Sequence, residues 1–241
     1  MFDFENRLEE FFLSPRNSAR REALLLNRMS YDLQLAAANS GYYLKTYISD
    51  VDDNGYDVIV DSETVTKKLQ VKSLLNTSKT TRWAISKGLI KPDHQEQLLV
   101  VDWTNIHPPG IGGGVVLQEV TLNDRALGVI YYYTDIWVIT LYSRGIIGNA
   151  KQQLLARKLI SSLLYGNYHD KVSITKSLFL KLKTPDHLLS LMCIHSSYQP
   201  SSIRYFLQHR HSGKLAPIEH IDSLIRNQIE KLCIINTWYQ V

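Results

Sequence analysis

A long helix followed by short strands is the feature that most constrains the fold of this chain. Residues 16–39 are rich in Leu, Ala, Arg and Gln and end at Asn39-Ser40-Gly41, which is typical of a helix C-terminus. Three strand-like runs follow, at Tyr42–Ser49, Tyr56–Asp61 and Lys67–Ser73. Asn54-Gly55 favours a tight turn between the first two runs. This order predicts an α/β fold that begins with a helix and adjacent strands.

The remainder of the chain adds further strands and then turns helical. Gln97–Trp103 has the continuous apolar run of a buried strand, and residues 80–91 fit either a strand or a short helix. Strands are also predicted at Val115–Leu122 and at Val129–Leu141, the second broken near Thr134-Asp135. Helices are predicted at Ala150–Leu164, Pro185–Ser196, Ser201–His209 and Pro217–Ile235. We therefore expect an α/β core over residues 1–148, with a mixed central sheet flanked by helices. A helical C-terminal region, residues 149–241, follows and can pack on the core as one domain.

The composition is that of an ordinary globular protein. Of the 241 residues 44% are apolar and 21% charged, which excludes a disordered or collagen-like chain. The N-terminus is acidic and lacks the features of a secretory signal, and the apolar stretch Ala126–Tyr142 is too short to span a bilayer. Two cysteines are compatible with a reducing compartment. We expect a cytoplasmic protein that does not associate with membranes.

The positive charge of the chain is unevenly distributed. The net charge is +4, yet residues 64–92 contain seven Lys or Arg side chains and no Asp or Glu. Clustered cations favour a polyanionic partner, because binding releases the counterions of that partner. A solvated basic face is the alternative explanation.

Asp57, Gln70 and Lys72 form the set of residues most suggestive of chemistry. Strand alternation places Gln70 and Lys72 on one face. A hairpin that turns near Thr64-Val65 would bring Asp57 opposite Lys72 on that same face. Carboxylate and carbonyl oxygens bind Mg²⁺, which activates water for phosphodiester hydrolysis, and a lysine can assist the attack. The expected metal ligands are the Asp57 carboxylate, the Gln70 side-chain oxygen and the Val71 main-chain carbonyl.

At these residues the chain resembles the PD-(D/E)xK, or restriction-endonuclease-like, nuclease superfamily. The resemblance covers roughly residues 28–103: a leading helix, a strand, a Gly-x-Asp strand, a Gln-x-Lys strand and a later buried strand. It implies metal-dependent cleavage of DNA, with Asp57 as the motif aspartate, Gln70 at the acidic position and Lys72 as the motif lysine. Members with this order include Holliday-junction resolvases, Mrr-type restriction nucleases and nucleases of mobile elements and defence systems. Gln at the acidic position also occurs in Mrr-type members.

The resemblance implies further partners and ligands. Many members carry an acid in the leading helix that completes the metal site, and Asp32 is our candidate, with Glu22 as second choice. Mn²⁺ is expected to substitute for Mg²⁺, and a homodimer would provide one active site for each DNA strand. The basic residues expected to contact phosphates are Lys67, Lys68, Lys79, Arg82 and Lys87.

Other functions stay open at this stage. Gln70 removes one negative charge, so a catalytically inactive nuclease-fold protein that binds DNA is one alternative. A protein-interaction subunit of a defence system is another. Less favoured sites are a calcium loop at Asp50–Asp61, a zinc site from Cys193, His195, His209 and His211, and base stacking on Tyr131–Tyr133 and Trp137. The segment Gly112–Gly114 predicts a mobile loop with a hinge or a tight bend.

Overall fold

The computed structural model describes residues 7–49, 55–63, 65–93, 96, 108–123, 126–192 and 218–234. The strands are β1 (Lys45–Ile48), β2 (Val58–Asp61), β3 (Thr66–Leu75), β4 (Arg82–Ser86), β5 (Gly114–Asn123), β6 (Ala126–Asp135), β7 (Lys171–Thr175) and β8 (Leu180–Lys181). The helices are α1 (Arg7–Leu13), α2 (Ser18–Asn39), α3 (Lys87–Ile90), α4 (Ile136–Ser143), α5 (Ala150–Leu164), α6 (Pro185–Leu191) and α7 (Ile218–Leu232). Within these ranges, no helix is both long and apolar enough to cross a membrane.

A mixed six-stranded sheet forms the centre of the fold, in the order β1-β2-β3-β5-β6-β8. The strands β1, β2 and β3 are antiparallel neighbours, β5 runs parallel to β3, and β6 is antiparallel to both β5 and β8. A separate two-stranded sheet pairs β4 with β7. The predicted α/β class with a mixed central sheet flanked by helices is therefore confirmed.

The helix α2 packs on one face of the central sheet. Its residues Leu25, Met29 and Leu33 are spaced for a single helix face and are almost fully buried. The side-chain amide of Gln118 on β5 donates to the Leu25 carbonyl (2.9 Å). The register pairs Gln118 with Ser73, so α2 covers the sheet face that carries Ser73. Side chains alternate between the two faces along β3, so Gln70 and Lys72 point to the other face.

The β2–β3 hairpin forms, but with a register that differs from the prediction. Val58 pairs with Leu69 and Ile59 with Lys68, so Asp57 does not lie opposite Lys72. The turn lies one residue earlier than predicted: the Ser62 amide donates to the Val65 carbonyl (3.1 Å), and Glu63 has a left-handed φ of 69°. A shift of two residues leaves each β3 side chain on its predicted face, because side chains alternate with period two.

Two segments of the chain differ from the sequence prediction in type. The strand predicted at Val129–Leu141 ends at Asp135, whose carboxylate accepts from the Val138 amide (3.0 Å) and caps α4. Every residue of α4 is buried, so its sequence shows no helical periodicity. Residues 80–91 contain both a strand, β4, and a helix, α3.

The C-terminal region is not wholly helical. It contributes β7 to the small sheet and β8 to the central one. The predicted helices at Ala150–Leu164 and Pro217–Ile235 correspond to α5 and α7, and the one at Pro185–Ser196 begins as α6. Gln97–Trp103 and Ser201–His209 lie outside the described residues, so the strand and the helix predicted there remain predictions.

The glycine-rich segment is packed, and no hinge is seen at Gly112–Gly114. These three glycines are buried, and the amides of Gly112 and Gly113 donate to the carbonyls of Lys91 (3.0 Å) and Leu89 (2.7 Å). A Cβ atom on Gly112 would lie 2.3 Å from the Glu96 carboxylate, and φ there is +64°. Glycine is therefore required because the backbone passes so close to its neighbours.

Candidate active site

Asp57 lies where the β2–β3 ladder ends. Its own amide donates to the Leu69 carbonyl (2.8 Å), and its carboxylate Oδ2 accepts from the Val71 amide (2.6 Å). Val71 is the residue between Gln70 and Lys72, so the carboxylate lies against the edge of β3 at the centre of the predicted motif. The N–H and C=O groups of one strand residue point to the same neighbour, so the Val71 carbonyl faces this edge too.

The Gln70 side chain is buried and makes a defined contact. Its Oε1 accepts from the backbone amide of Ser86 at 3.2 Å, where β4 ends and α3 begins. This hydrogen bond places the end of β4 above the sheet face that carries Gln70. The amide oxygen has a second lone pair, which the Ser86 contact leaves for another ligand.

The Lys72 side chain is half-buried at the edge of β3. Among the described residues its ammonium has no ion-pair or hydrogen-bond partner. Lys72 lines a cavity of about 200 Å³ between β3 and the first half of α2, together with Val71, Ser73 and Glu22. An unpaired cation beside the Val71 backbone suits an anionic ligand.

Asp32 does not lie with the other predicted site residues. Its carboxylate accepts from both the Arg28 side chain (2.9 Å to each oxygen) and the Tyr131 hydroxyl (2.7 Å). Tyr131 pairs in register with Gln118, which places Asp32 on the opposite side of the sheet from Gln70 and Lys72. Burial first, and then the hydrogen bond to Asp32, raises the pKa of Tyr131, so this phenol stays a donor. The predicted metal role of Asp32 is therefore not supported by its position.

Glu22, the second choice for the leading-helix acid, lies on the side of the sheet that α2 covers. It is exposed and shares the 200 Å³ cavity with Val71 and Lys72. The sequence analysis ranked it below Asp32 because Asp32 falls on the apolar stripe of α2. That reasoning missed Arg28 and Tyr131, which satisfy the Asp32 carboxylate. Glu22 lies on the same helix, and α2 covers the sheet face opposite to the Gln70 and Lys72 side chains, so the position of Glu22 does not support a metal role either.

Two of the five predicted phosphate contacts are buried. The Lys67 ammonium donates to the Gly112 carbonyl (2.7 Å) and lies 3.4 Å from the Asp135 carboxylate, while the Lys87 ammonium donates to the Tyr165 carbonyl. Both ammonium groups therefore lie inside the protein in this structure, away from any phosphate at its surface. Lys68 is half-buried, with its Nζ 5.0 Å from the centre of the Tyr56 ring. Lys79 and Arg82 are exposed, as predicted.

The alternative sites have little support in the described part of the chain. Those residues contain no group of three or more His, Cys, Asp or Glu side chains that could hold a metal ion. Cys193, His195, His209 and His211 lie outside the described residues, as do Asp50–Asn54 of the calcium loop. Tyr131, Tyr132, Tyr133 and Trp137 are all buried, so they offer no exposed ring for base stacking.

Sequence reasoning also missed a set of basic residues on the later elements. Lys151, Lys158, Lys171, Lys176 and Lys181 line two cavities together with Arg82. They come from separate helices, strands and turns, so no local pattern in the sequence marks them as one group.

No family model, no curated protein and no solved structure matches the chain.

Proposed function

We propose that the protein is a metal-dependent DNA endonuclease that hydrolyses phosphodiester bonds in the cytoplasm, in a mobile-element, restriction or phage-defence system. One observation carries the proposal: the Asp57 carboxylate is hydrogen-bonded to the amide of Val71, between Gln70 and an unpaired Lys72. This hydrogen bond places the acid beside the strand segment that carries the amide and the ammonium. A homodimer with one site for each strand belongs to the same proposal.

The residues at this edge fit a hard cation. Asp57 offers one carboxylate, and Val71 and Gln70 offer a backbone carbonyl and an amide oxygen. Mg²⁺ commonly binds through one or two carboxylates and keeps several waters. When bound, such an ion would polarise the phosphate and promote ionisation of a water molecule. The Lys72 ammonium would hold the phosphate and offset the negative charge that develops on it.

Cleavage of supercoiled plasmid and of a branched DNA tests the proposal. We expect nicking by purified protein in Mg²⁺ or Mn²⁺ and none in EDTA. Lys72→Ala should lower the rate by about 10²-fold or more, because it removes the cation that would hold the phosphate. Lys45→Ala is the matched control, since Lys45 is an exposed lysine on β1. Intact DNA under every metal condition would contradict the proposal.

A second function, DNA binding without cleavage, is favoured by the Gln70 contact. Gln70 is buried and neutral, and its oxygen already accepts from the Ser86 amide. Such a protein would bind DNA equally well with or without metal.

Gln70→Glu separates the two functions. A glutamate can still accept from the Ser86 amide, and its added negative charge should strengthen metal binding. For an active enzyme we expect the Mg²⁺ concentration at half-maximal nicking to fall by about tenfold, and to rise in Gln70→Met. If wild type and Gln70→Glu both leave plasmid intact while binding it, the inactive binder is the correct function.

A further inference from the structure

A continuous groove runs along the face of the protein formed by α5, β4 and β7. It consists of two cavities, of about 510 and 670 Å³, that share Arg82, Leu155 and Thr175 as lining residues. The first lies between α5 and β7. The second continues past the start of α5 to Tyr132 on β6 and to the 3₁₀ turn Lys176–Leu178.

The groove is strongly basic. Its accessible cations are Arg82, Lys151, Lys158, Lys171, Lys176 and Lys181, while Lys87 in the wall is buried against the Tyr165 carbonyl. Among the described residues, the one acid in its lining is Asp170. Lys176 is bound to the Glu119 carboxylate. Burial opposes ionisation of Glu119, but hydrogen bonds from Lys176 and the Tyr132 hydroxyl outweigh it and lower the pKa of Glu119. Within the described ranges, Arg82, Lys151, Lys158, Lys171 and Lys181 have no carboxylate partner.

The groove and the candidate active site lie on the same face of the central sheet. Lys72 pairs in register with Leu117, Leu117 with Tyr132, and Tyr132 with Lys181. With strands about 4.8 Å apart, the backbones of Lys72 and Tyr132 are about 10 Å apart. Tyr132 forms the floor of the groove, with the ammonium groups of Lys176 and Lys181 at 4.8 and 5.8 Å from its ring centre.

The strand β4 provides a second connection between the groove and the site. Its last residue, Ser86, donates to Gln70, and its first, Arg82, borders both cavities. A ligand bound along the groove therefore runs toward the strand edge where Asp57 and Lys72 lie.

The spread of the cations favours an extended polyanion over a small anion. Lys151 and Lys158 are seven residues apart on α5, which is about 10 Å along the helix axis. Charges that far apart contact separate phosphates and do not converge on one. We propose that this groove binds the sugar-phosphate backbone of the nucleic acid on one side of the scissile bond. The inference deepens the proposed function and rests on it.

Fluorescence anisotropy with labelled duplex and single-stranded oligonucleotides, in EDTA and over a salt series, tests the groove. The groove variant is Lys151→Gln/Lys158→Gln/Lys171→Gln, and the matched control is Arg16→Gln/Lys45→Gln/Lys231→Gln, which changes the net charge equally at exposed residues elsewhere. We expect the groove variant to weaken binding by about 10- to 100-fold and to reduce the slope of log affinity against log salt by about two. The control should stay within about threefold of wild type.

The outcomes separate this inference from the proposed function. Three results would contradict binding of nucleic acid in the groove: equal losses of affinity in both variants, unchanged affinity of the groove variant, or no binding of nucleic acid by wild type. Displacement of the oligonucleotide by polyglutamate as readily as by unlabelled DNA of equal charge would overturn it in favour of an acidic protein partner. If groove-dependent binding is found while plasmid stays intact, only the endonuclease proposal fails.

Discussion

Asp57→Asn is expected to lower the rate of metal-dependent plasmid nicking by about 10³-fold. The asparagine keeps an oxygen that can accept from the Val71 amide, so the local backbone should hold its position. It removes the negative charge that Asp57 supplies at the edge of β3, and a loss of this size corresponds to about 4 kcal/mol of transition-state stabilisation. Initial nicking rates at saturating Mg²⁺ measure the effect.

Asp61→Asn is the matched control for this substitution. Asp61 lies at the other end of the same short strand, where its carboxylate accepts from the Glu63 amide and the Thr66 hydroxyl (3.1 Å each). Its nicking rate should stay within about twofold of wild type. Asp57→Asn should bind duplex DNA in EDTA at least as tightly as wild type, because it removes a charge that repels phosphate. Nicking by Asp57→Asn at the wild-type rate would exclude Asp57 from the chemistry.

The faces of the strands could be predicted from the sequence, but the register could not. Alternation along Gln70-Val71-Lys72 fixes which side chains share a face, and the structure keeps that arrangement. The register depends on the turn, and the turn depends on the left-handed backbone of Glu63. Glutamate carries no preference for that conformation, so nothing in the sequence indicated that the turn would begin one residue earlier.

The partners of the buried charged side chains could not be predicted from the sequence either. Lys67 and Lys68 are adjacent and were both predicted to contact phosphate, yet they point to opposite faces of β3, and Lys67 is buried whereas Lys68 is only half-buried. Asp32 is satisfied by Tyr131, which lies 99 residues away in the chain. Pairings of this kind arise only once distant strands have come together, so charge counting along a sequence cannot reveal them.

The burial of Lys67 explains why this lysine should matter more for stability than Lys68. The Lys67 ammonium is held by the Gly112 carbonyl and the Asp135 carboxylate. Asp135 also accepts from the Tyr133 hydroxyl (2.8 Å) and from the Val138 amide at the start of α4. The lysine thus links β3, the glycine-rich segment and α4 inside the core, where an unbalanced charge is costly.

Lys67→Met is expected to lower the free energy of unfolding by about 3 kcal/mol or more, because it leaves the buried Asp135 carboxylate without its cation. Lys68→Met, its neighbour on the other face, should cost at most about 1 kcal/mol, the value of its contact with the Tyr56 ring. Urea unfolding followed by tryptophan fluorescence measures both. Lys67→Met/Asp135→Asn should recover part of the loss, since it removes the unbalanced charge. Equal losses for the two lysines would show that the ion pair contributes no more than exposed-side contacts do, and would return Lys67 to the phosphate-binding set.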